Sequence, residues 1–213
     1  MTDDLERRLA GGEVPQLDLE ALRRRLARRA DREGLLDVAY GTYDSPLGPL
    51  TLVVTPRGLV RLSYPDEPIE AELDEIAERI SPRVLEAPER TDAVRRELDA
   101  YFAGRRTSFD LPIDWRLVRG FAGEVLRATA RIPFGQVSTY REIATEAGSP
   151  NAYRAAGNAL GSNPVPIVVP CHRVLHAGGG LGGYTGGLDR KRFLLRLEGV
   201  LDDEGTPRTV PAS

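Results

Sequence analysis

Cys171 and His172 stand side by side in the run Pro164-Val-Pro-Ile-Val-Val-Pro-Cys-His-Arg173, and Cys171 is the only cysteine in 213 residues. A lone thiol forms no internal disulfide. It also cannot supply the several thiolates that a zinc or iron–sulfur site collects. A neighbouring imidazole, however, can take the thiol proton and leave the more reactive thiolate. The pair therefore points to nucleophilic chemistry at sulfur. A free cysteine behind an apolar run is also a common inert core residue, so its surroundings decide between the two readings.

Val165, Ile167, Val168 and Val169 read as a short buried strand, which Pro170 ends by removing a backbone donor. The thiol is thus expected where a rigid element stops. Upstream, Thr139 and Glu142 fit a capping box, and Tyr140, Ile143, Ala144 and Ala147 recur on one helix face before Gly148. Ser149 and Pro150 then supply an N-cap and a first-turn proline for a second helix, with Ala152, Ala155, Ala156, Ala159 and Leu160 sharing a face. Two short helices joined by a tight turn make a helix-turn-helix. On the second helix, Arg154 and Asn158 lie opposite the apolar stripe, while Gly157 and Gly161 leave the backbone almost bare. Such a surface can approach a grooved polymer closely with one long cation reaching in. The same small residues would serve tight helix packing equally well.

Charge favours the first use. Residues 1 to 115 hold 17 Arg against 24 acids, a net of −7, whereas residues 116 to 200 hold 11 Arg and Lys against 5 acids, a net of +6. One cationic half joined to an anionic half draws a single face towards a polyanion. Nucleic acid is the obvious candidate. A hydrophobic fraction of 41% and the lack of any long apolar stretch argue against a membrane protein. With one cysteine and no apolar signal core near Asp3, Asp4 and Glu6, a cytoplasmic location is expected.

The length suits two domains. Val38 to Tyr43, Leu50 to Val54 and Leu59 to Leu62 alternate as strands of an antiparallel sheet, with amphipathic helices near 68 to 81 and 90 to 103. Leu19, Leu22 and Leu26 among Arg23, Arg24, Arg25, Arg28 and Arg29 read as a leading amphipathic helix, whose default use is to pack on the body. Boundaries follow at 1–36 for this extension, 37–115 for an α/β domain, 116–200 for a DNA-binding domain and 201–213 for a disordered tail.

The segments Ile132-Pro-Phe-Gly-Gln-Val-Ser-Thr-Tyr140, the Arg154 helix, Asn163-Pro-Val-Pro166, Pro170-Cys-His-Arg173, Gly182-Gly-Tyr-Thr-Gly-Gly-Leu188 and Leu197-Glu-Gly199 resemble, in order and spacing, the O6-alkylguanine-DNA alkyltransferases. The likeness is dense from about 117 to 200, looser from about 38 to 115, and absent from residues 1 to 36. It implies a two-domain α+β protein, with a ribonuclease-H-like sheet domain before a mostly helical, winged-helix-like domain. It also implies DNA repair by single, irreversible transfer of an alkyl group from O6 of guanine, less readily O4 of thymine, onto the protein's own cysteine. The electrophile is an sp3 carbon, so a soft thiolate suffices without an oxyanion hole. No cofactor is implied, and no cysteine or histidine cluster offers a metal site.

By the resemblance, Cys171 is the acceptor and His172 its base through a bridging water. Glu198 orients the imidazole, and Asn163 holds the turn before the cysteine. Tyr140 is the donor to the departing base. The carbonyls of Cys171 and Val174 face the exocyclic amine, the main chain and hydroxyl of Thr185 face O6, and Tyr184 walls the pocket. Arg154 is the finger that fills the space left by a nucleotide flipped from the minor-groove side of duplex DNA. Tyr153, Ala155, Gly157, Asn158 and Thr139 complete the DNA-facing set, and a monomer is expected.

Two departures stand out: Thr185 replaces a frequent serine, and Tyr153 precedes the finger where a small residue is usual. Lys191, the only lysine, falls where the family often has one near the site, although unaided it reads as an exposed helix residue. His176 reads as a solvated loop residue. The glycines from 178 to 183 suit a flexible pocket loop rather than a phosphate loop, since no following lysine and helix accompany them. Two rivals remain: a binding-only relative, disfavoured by Cys171, and a cysteine hydrolase with repeated turnover.

Overall fold

A computed structural model of the chain describes residues 18–66, 68–202 and 204–206. Strands β1 (Val38–Ser45), β2 (Gly48–Thr55) and β3 (Gly58–Ser63) pair antiparallel, and β4 (Val84–Glu86) adds to β1 in parallel, giving the order β3-β2-β1-β4. The three long strands match the sequence reading. The sheet is mixed rather than wholly antiparallel because β4, too short to show an alternating pattern, pairs parallel with β1. At the first hairpin Ser45 Oγ accepts from the Leu47 N–H and donates to the Gly48 carbonyl, and Gly48 takes a φ of 95°.

Alternation puts different side chains on the two faces. Val38, Val53 and Val60 pack with Ile76 of α2 (Ile69–Arg79). Leu50, Leu52 and Leu62 join a larger core with Leu98 and Tyr101 of α3 (Asp92–Phe102). That core continues without interruption into Ile143, Ala156, Val169 and Cys171. The sheet is therefore the floor on which the cysteine segment rests, and Leu62 N–H donates to the Pro164 carbonyl at 2.8 Å.

The leading helix α1 (Leu19–Arg32) forms, capped by Asp18, but packs through Ala27 and Ala30. Leu19, Leu22 and Leu26 are 58%, 50% and 56% exposed, so the expected apolar stripe faces outward. Alanines allow close backbone approach, and the exposed Arg28–Glu89 and Asp31–Arg90 ion pairs flank that contact. At the other end, Leu201 is buried and Asp202 closes a turn with Thr206, so the expected disordered tail starts with packed residues. Residues 207–213 and 1–17 lie outside the described residues. Among the described residues no helix is long and apolar enough to cross a membrane.

In the second half, α4 (Gly120–Thr129) backs the helix pair α5 (Tyr140–Glu146) and α6 (Tyr153–Gly161). The capping box is formed: Thr139 Oγ1 accepts from Glu142 N–H, and Glu142 Oε2 accepts from Thr139 N–H at 2.7 Å. Gly148 ends α5 at a φ of 81°. The second helix starts later than the sequence suggests. Ser149 and Pro150 belong to the turn, where Ala152 N–H donates to the Ser149 carbonyl, and α6 has no side-chain cap. Its buried face is Ala156, Ala159 and Leu160, while Ala155 is exposed.

The expected strand at 165–169 is instead a buried turn. Val168 N–H reaches the Pro166 carbonyl and Val169 N–H the Val165 carbonyl, with Ile167 at a φ of 73°. A β-branched residue in that region costs on the order of 1–3 kcal/mol and persists only where packing over-determines it. Prolines at 164 and 166 remove the donors that a strand would use. Strand β5 (Ser138–Thr139) pairs with β6 (Val174–Leu175), tying the start of α5 to the turn that carries the cysteine. Helix α7 (Leu188–Leu197) closes the molecule.

Candidate active site

Residues Cys171–Arg173 form one helical turn between the 165–169 turn and β6. The sulfur accepts from Asn163 Nδ2 at 3.2 Å, and the same amide binds the Val169 carbonyl and the Val165 N–H. Asn163 thus holds the turn as expected and also touches the sulfur. Cys171 is only 6% exposed, yet it is not sealed. It lines a cavity of about 310 Å3 with Tyr140, Gly157, Gly161, Tyr184 and Thr185. It also borders a larger cleft of about 420 Å3 that runs past Asn163 towards Arg61 and Tyr64 of the first half.

Behind the sulfur, His172 is wholly buried and its Nε2 lies 2.9 Å from Glu198 Oε1. Its Nδ1 has no hydrogen-bond partner among the described residues. Glu198 also receives a two-pronged contact from Arg173, Nε to Oε2 and Nη2 to Oε1, each at 2.8 Å. A fork of this kind is the strong form of carboxylate pairing. Burial works against the Glu198 charge, but the His172 and Arg173 contacts outweigh it and hold the carboxyl at about 2. Burial lowers the His172 value, partly opposed by Glu198. Burial also pushes the thiol up to about 11, partly offset by the Asn163 hydrogen bond and the Lys191 charge. The resting group is a thiol beside a neutral imidazole, so neither His172 nor Glu198 ionises it in advance.

Lys191 departs from the sequence reading. It is fully buried, and its Nζ donates to the Val174 carbonyl at 2.8 Å and to the carbonyls of Leu181 and Gly183. Burial lowers it to about 8. It stitches the glycine loop to the cysteine turn. The Val174 carbonyl consequently faces Lys191, and Val174 is not on the cavity wall. Thr185 does line the cavity, but its hydroxyl donates to the Gly161 carbonyl at 2.6 Å. Tyr184 forms the wall, its hydroxyl 2.6 Å from that of Tyr64 and its ring edge-on to His172.

Tyr140 stands across from the sulfur, raised above its usual value by burial and by the Cys171 charge, and so kept as a donor. Its ring lies tilted at 5.2 Å from that of His176, which is exposed. Outside, Thr139, Tyr140, Arg141, Tyr153, Arg154 and His176 line a shallow groove. The Tyr153 ring lies between two guanidinium groups, 5.5 Å from Arg141 and 5.8 Å from Arg154. Ala155 and Asn158 are exposed on the same helix, and Gly157 faces the Tyr140 ring.

Sequence reasoning gave Arg173 no role and, apart from the resemblance, read the buried Lys191 as an exposed helix residue. The signal for Arg173 was its place in the Pro-Cys-His-Arg run. For Lys191 the signal was the family resemblance, which places a lysine near the site, and its being the one lysine in the sequence.

Residues 120–200 match the family model described as the DNA binding domain of 6-O-methylguanine DNA methyltransferase, and residues 38–115 match its ribonuclease-like domain. A methylated-DNA–protein-cysteine methyltransferase of Mycolicibacterium paratuberculosis is 45% identical over 161 residues, covering 76% of this chain and 92% of the relative. One from Methanosarcina barkeri is 40% identical over 161 residues, with 75% and 96% covered. The crystal structure of Mycobacterium tuberculosis OGT in complex with DNA has 40% identity and a TM-score of 0.64, covering 79% of this chain and 95% of that one.

Proposed function

Because this chain belongs to the O6-methylguanine-DNA methyltransferase family, we propose that it repairs alkylated DNA by moving the alkyl group from O6-methylguanine onto its own Cys171. The observation that carries this assignment is the placement of Cys171 between an open cavity and a buried His172–Glu198 pair, with Asn163 on the sulfur. Displacement at an sp3 carbon needs a nucleophile, a proton acceptor and a donor for the leaving group, and Cys171, His172 and Tyr140 supply these.

Each group has a role. The Cys171 thiol loses its proton towards His172 Nδ1 through a bridging water, and Glu198 supports the imidazolium that forms. Sulfur bonds to the alkyl carbon as the carbon–O6 bond breaks, and the electron pair departs with the guanine. Tyr140 donates to the base, and Tyr184 and Thr185 flank it. The thioether product is not hydrolysed, so each chain reacts once. Thr185, with its added methyl, narrows the cavity for alkyl groups larger than methyl.

Binding uses α6. The target nucleotide leaves the stack at a cost of a few kcal/mol, and Arg154 enters the vacated space from the minor groove with Tyr153 supporting its guanidinium. Thr139, Ala155, Gly157 and Asn158 lie along the same approach. A monomer suffices for this task, and the reading includes a cytoplasmic location. Cys171→Ser tests the assignment: shape and charge are preserved, so damaged-duplex binding persists while transfer is abolished. Full transfer in that variant would refute it.

A further inference from the structure

Glu198 has a donor from the far half of the molecule. The Tyr101 hydroxyl, on α3, donates to Glu198 Oε1 at 2.7 Å, the same oxygen that meets His172 Nε2. Tyr101 is completely buried. Its ring is fixed by Phe102, Phe109 and Phe134 at centroid distances of 5.2 to 6.1 Å. Burial, and then the Glu198 charge, push its hydroxyl far above tyrosine's usual 10, so it is a permanent donor. A polar hydroxyl at the centre of an aromatic cluster is expensive unless it is paired. Its partner here is the carboxylate that faces the base.

We propose that Tyr101 is a positioning residue for the transfer reaction, through which the ribonuclease-like segment sets how strongly Glu198 holds His172. The inference rests on the functional reading above. Glu198 Oε1 accepts from three donors, Tyr101, His172 and Arg173, and each hydrogen bond draws electron density from the oxygen that the imidazole faces. Other charged or titratable groups around His172 are Arg173, Lys191, Cys171 and the edge-on Tyr184. None of these comes from residues 38–115, whereas Tyr101 hydrogen-bonds the carboxylate directly from that segment. The role also accounts for the polar choice at a position whose neighbours are phenylalanines.

Tyr101→Phe keeps the ring and removes only the donor. With fewer competing donors, Glu198 becomes more basic and binds the protonated imidazole more tightly. The chain has two histidines, so their ring signals can be followed by NMR as pH is changed. The His172 titration should move to higher pH by about half a unit or more, while His176 stays where it was. The acid limb of the single-turnover rate should move by the same amount, with affinity for duplex DNA unchanged. In a Glu198→Gln background the Tyr101→Phe effect on the His172 titration should vanish. Superimposable titrations in wild type and Tyr101→Phe, with any rate loss uniform across pH, would overturn the proposal and leave Tyr101 a packing residue. The titration needs no transfer activity, so failure of the repair reading would show separately, as a wild-type protein that acquires no methyl group.

Discussion

The Asn163 side-chain amide donates to the Cys171 sulfur at 3.2 Å while closing the turn between Val165 and Val169. One side chain thus sets both the position of the nucleophile and part of its ionisation. Asn163→Ala leaves the buried Val165 N–H unpaired and the Val169 carbonyl with the Cys171 N–H alone, which costs about 1–3 kcal/mol. Chemical denaturation should register that loss, and single-turnover transfer should slow by at least tenfold. Wild-type stability together with wild-type rate would mean the amide is incidental.

On the proposed mechanism the Cys171 thiol, held up at about 11, gives its proton to His172, which burial keeps below its ordinary value. The transfer rate should be nearly flat from about pH 7 to about pH 9 and fall once His172 becomes protonated in acid. A tenfold rise per pH unit across that range would mean that bulk solvent, not His172, removes the proton.

Gly182 has a φ of 68°, and an added Cβ would lie 2.6 Å from the Tyr140 hydroxyl. Gly182→Ala should displace Tyr140 and slow transfer by up to about a hundredfold, the low end of what a general acid contributes, with nonspecific duplex binding retained. Quench-flow and mobility-shift measurements separate the two effects.

Arg154 lies exposed on α6 beside Tyr153, away from the sulfur chemistry. Arg154→Ala should weaken binding to a duplex holding O6-methylguanine by about tenfold, because extrusion loses its filler, while binding to undamaged duplex falls less. Equal losses on both duplexes would remove the finger role and leave a phosphate contact.

Glu198 is held at about 2 in the folded state against an ordinary 4.5. Its folded value is depressed, so the stabilisation is present above the unfolded value and is lost as pH falls from about 4.5 towards about 2. The difference amounts to about 3 kcal/mol. Glu198→Gln should therefore be less stable than wild type at neutral pH, with the gap closing near pH 2–3. A gap independent of pH would show that the carboxylate charge is not what stabilises the site.

Local signals were legible in the sequence: the Thr139–Glu142 capping box and the three alternating strands occupy the places their spacing implies. Readings failed where tertiary contacts override local pattern. Four apolar residues at 165–169 look like a strand, but two prolines and the Asn163 amide bend them into a turn. Leu19, Leu22 and Leu26 look like a buried stripe, yet it is the small Ala27 and Ala30 that pack inward, with ion pairs to Glu89 and Arg90 beside them. Lys191 and Tyr101 gain meaning only from partners 17 and 97 residues away. No local window contains such pairs.

The most direct test is the mass of the protein after incubation with excess duplex containing one O6-methylguanine, followed by peptide mapping. One methyl group per chain, saturating there and located on the peptide that contains Cys171, is the expected result. A chain of unchanged mass, a methyl group on any other residue, or product that keeps accumulating beyond one per chain would contradict the assignment of Cys171 as a single-use acceptor.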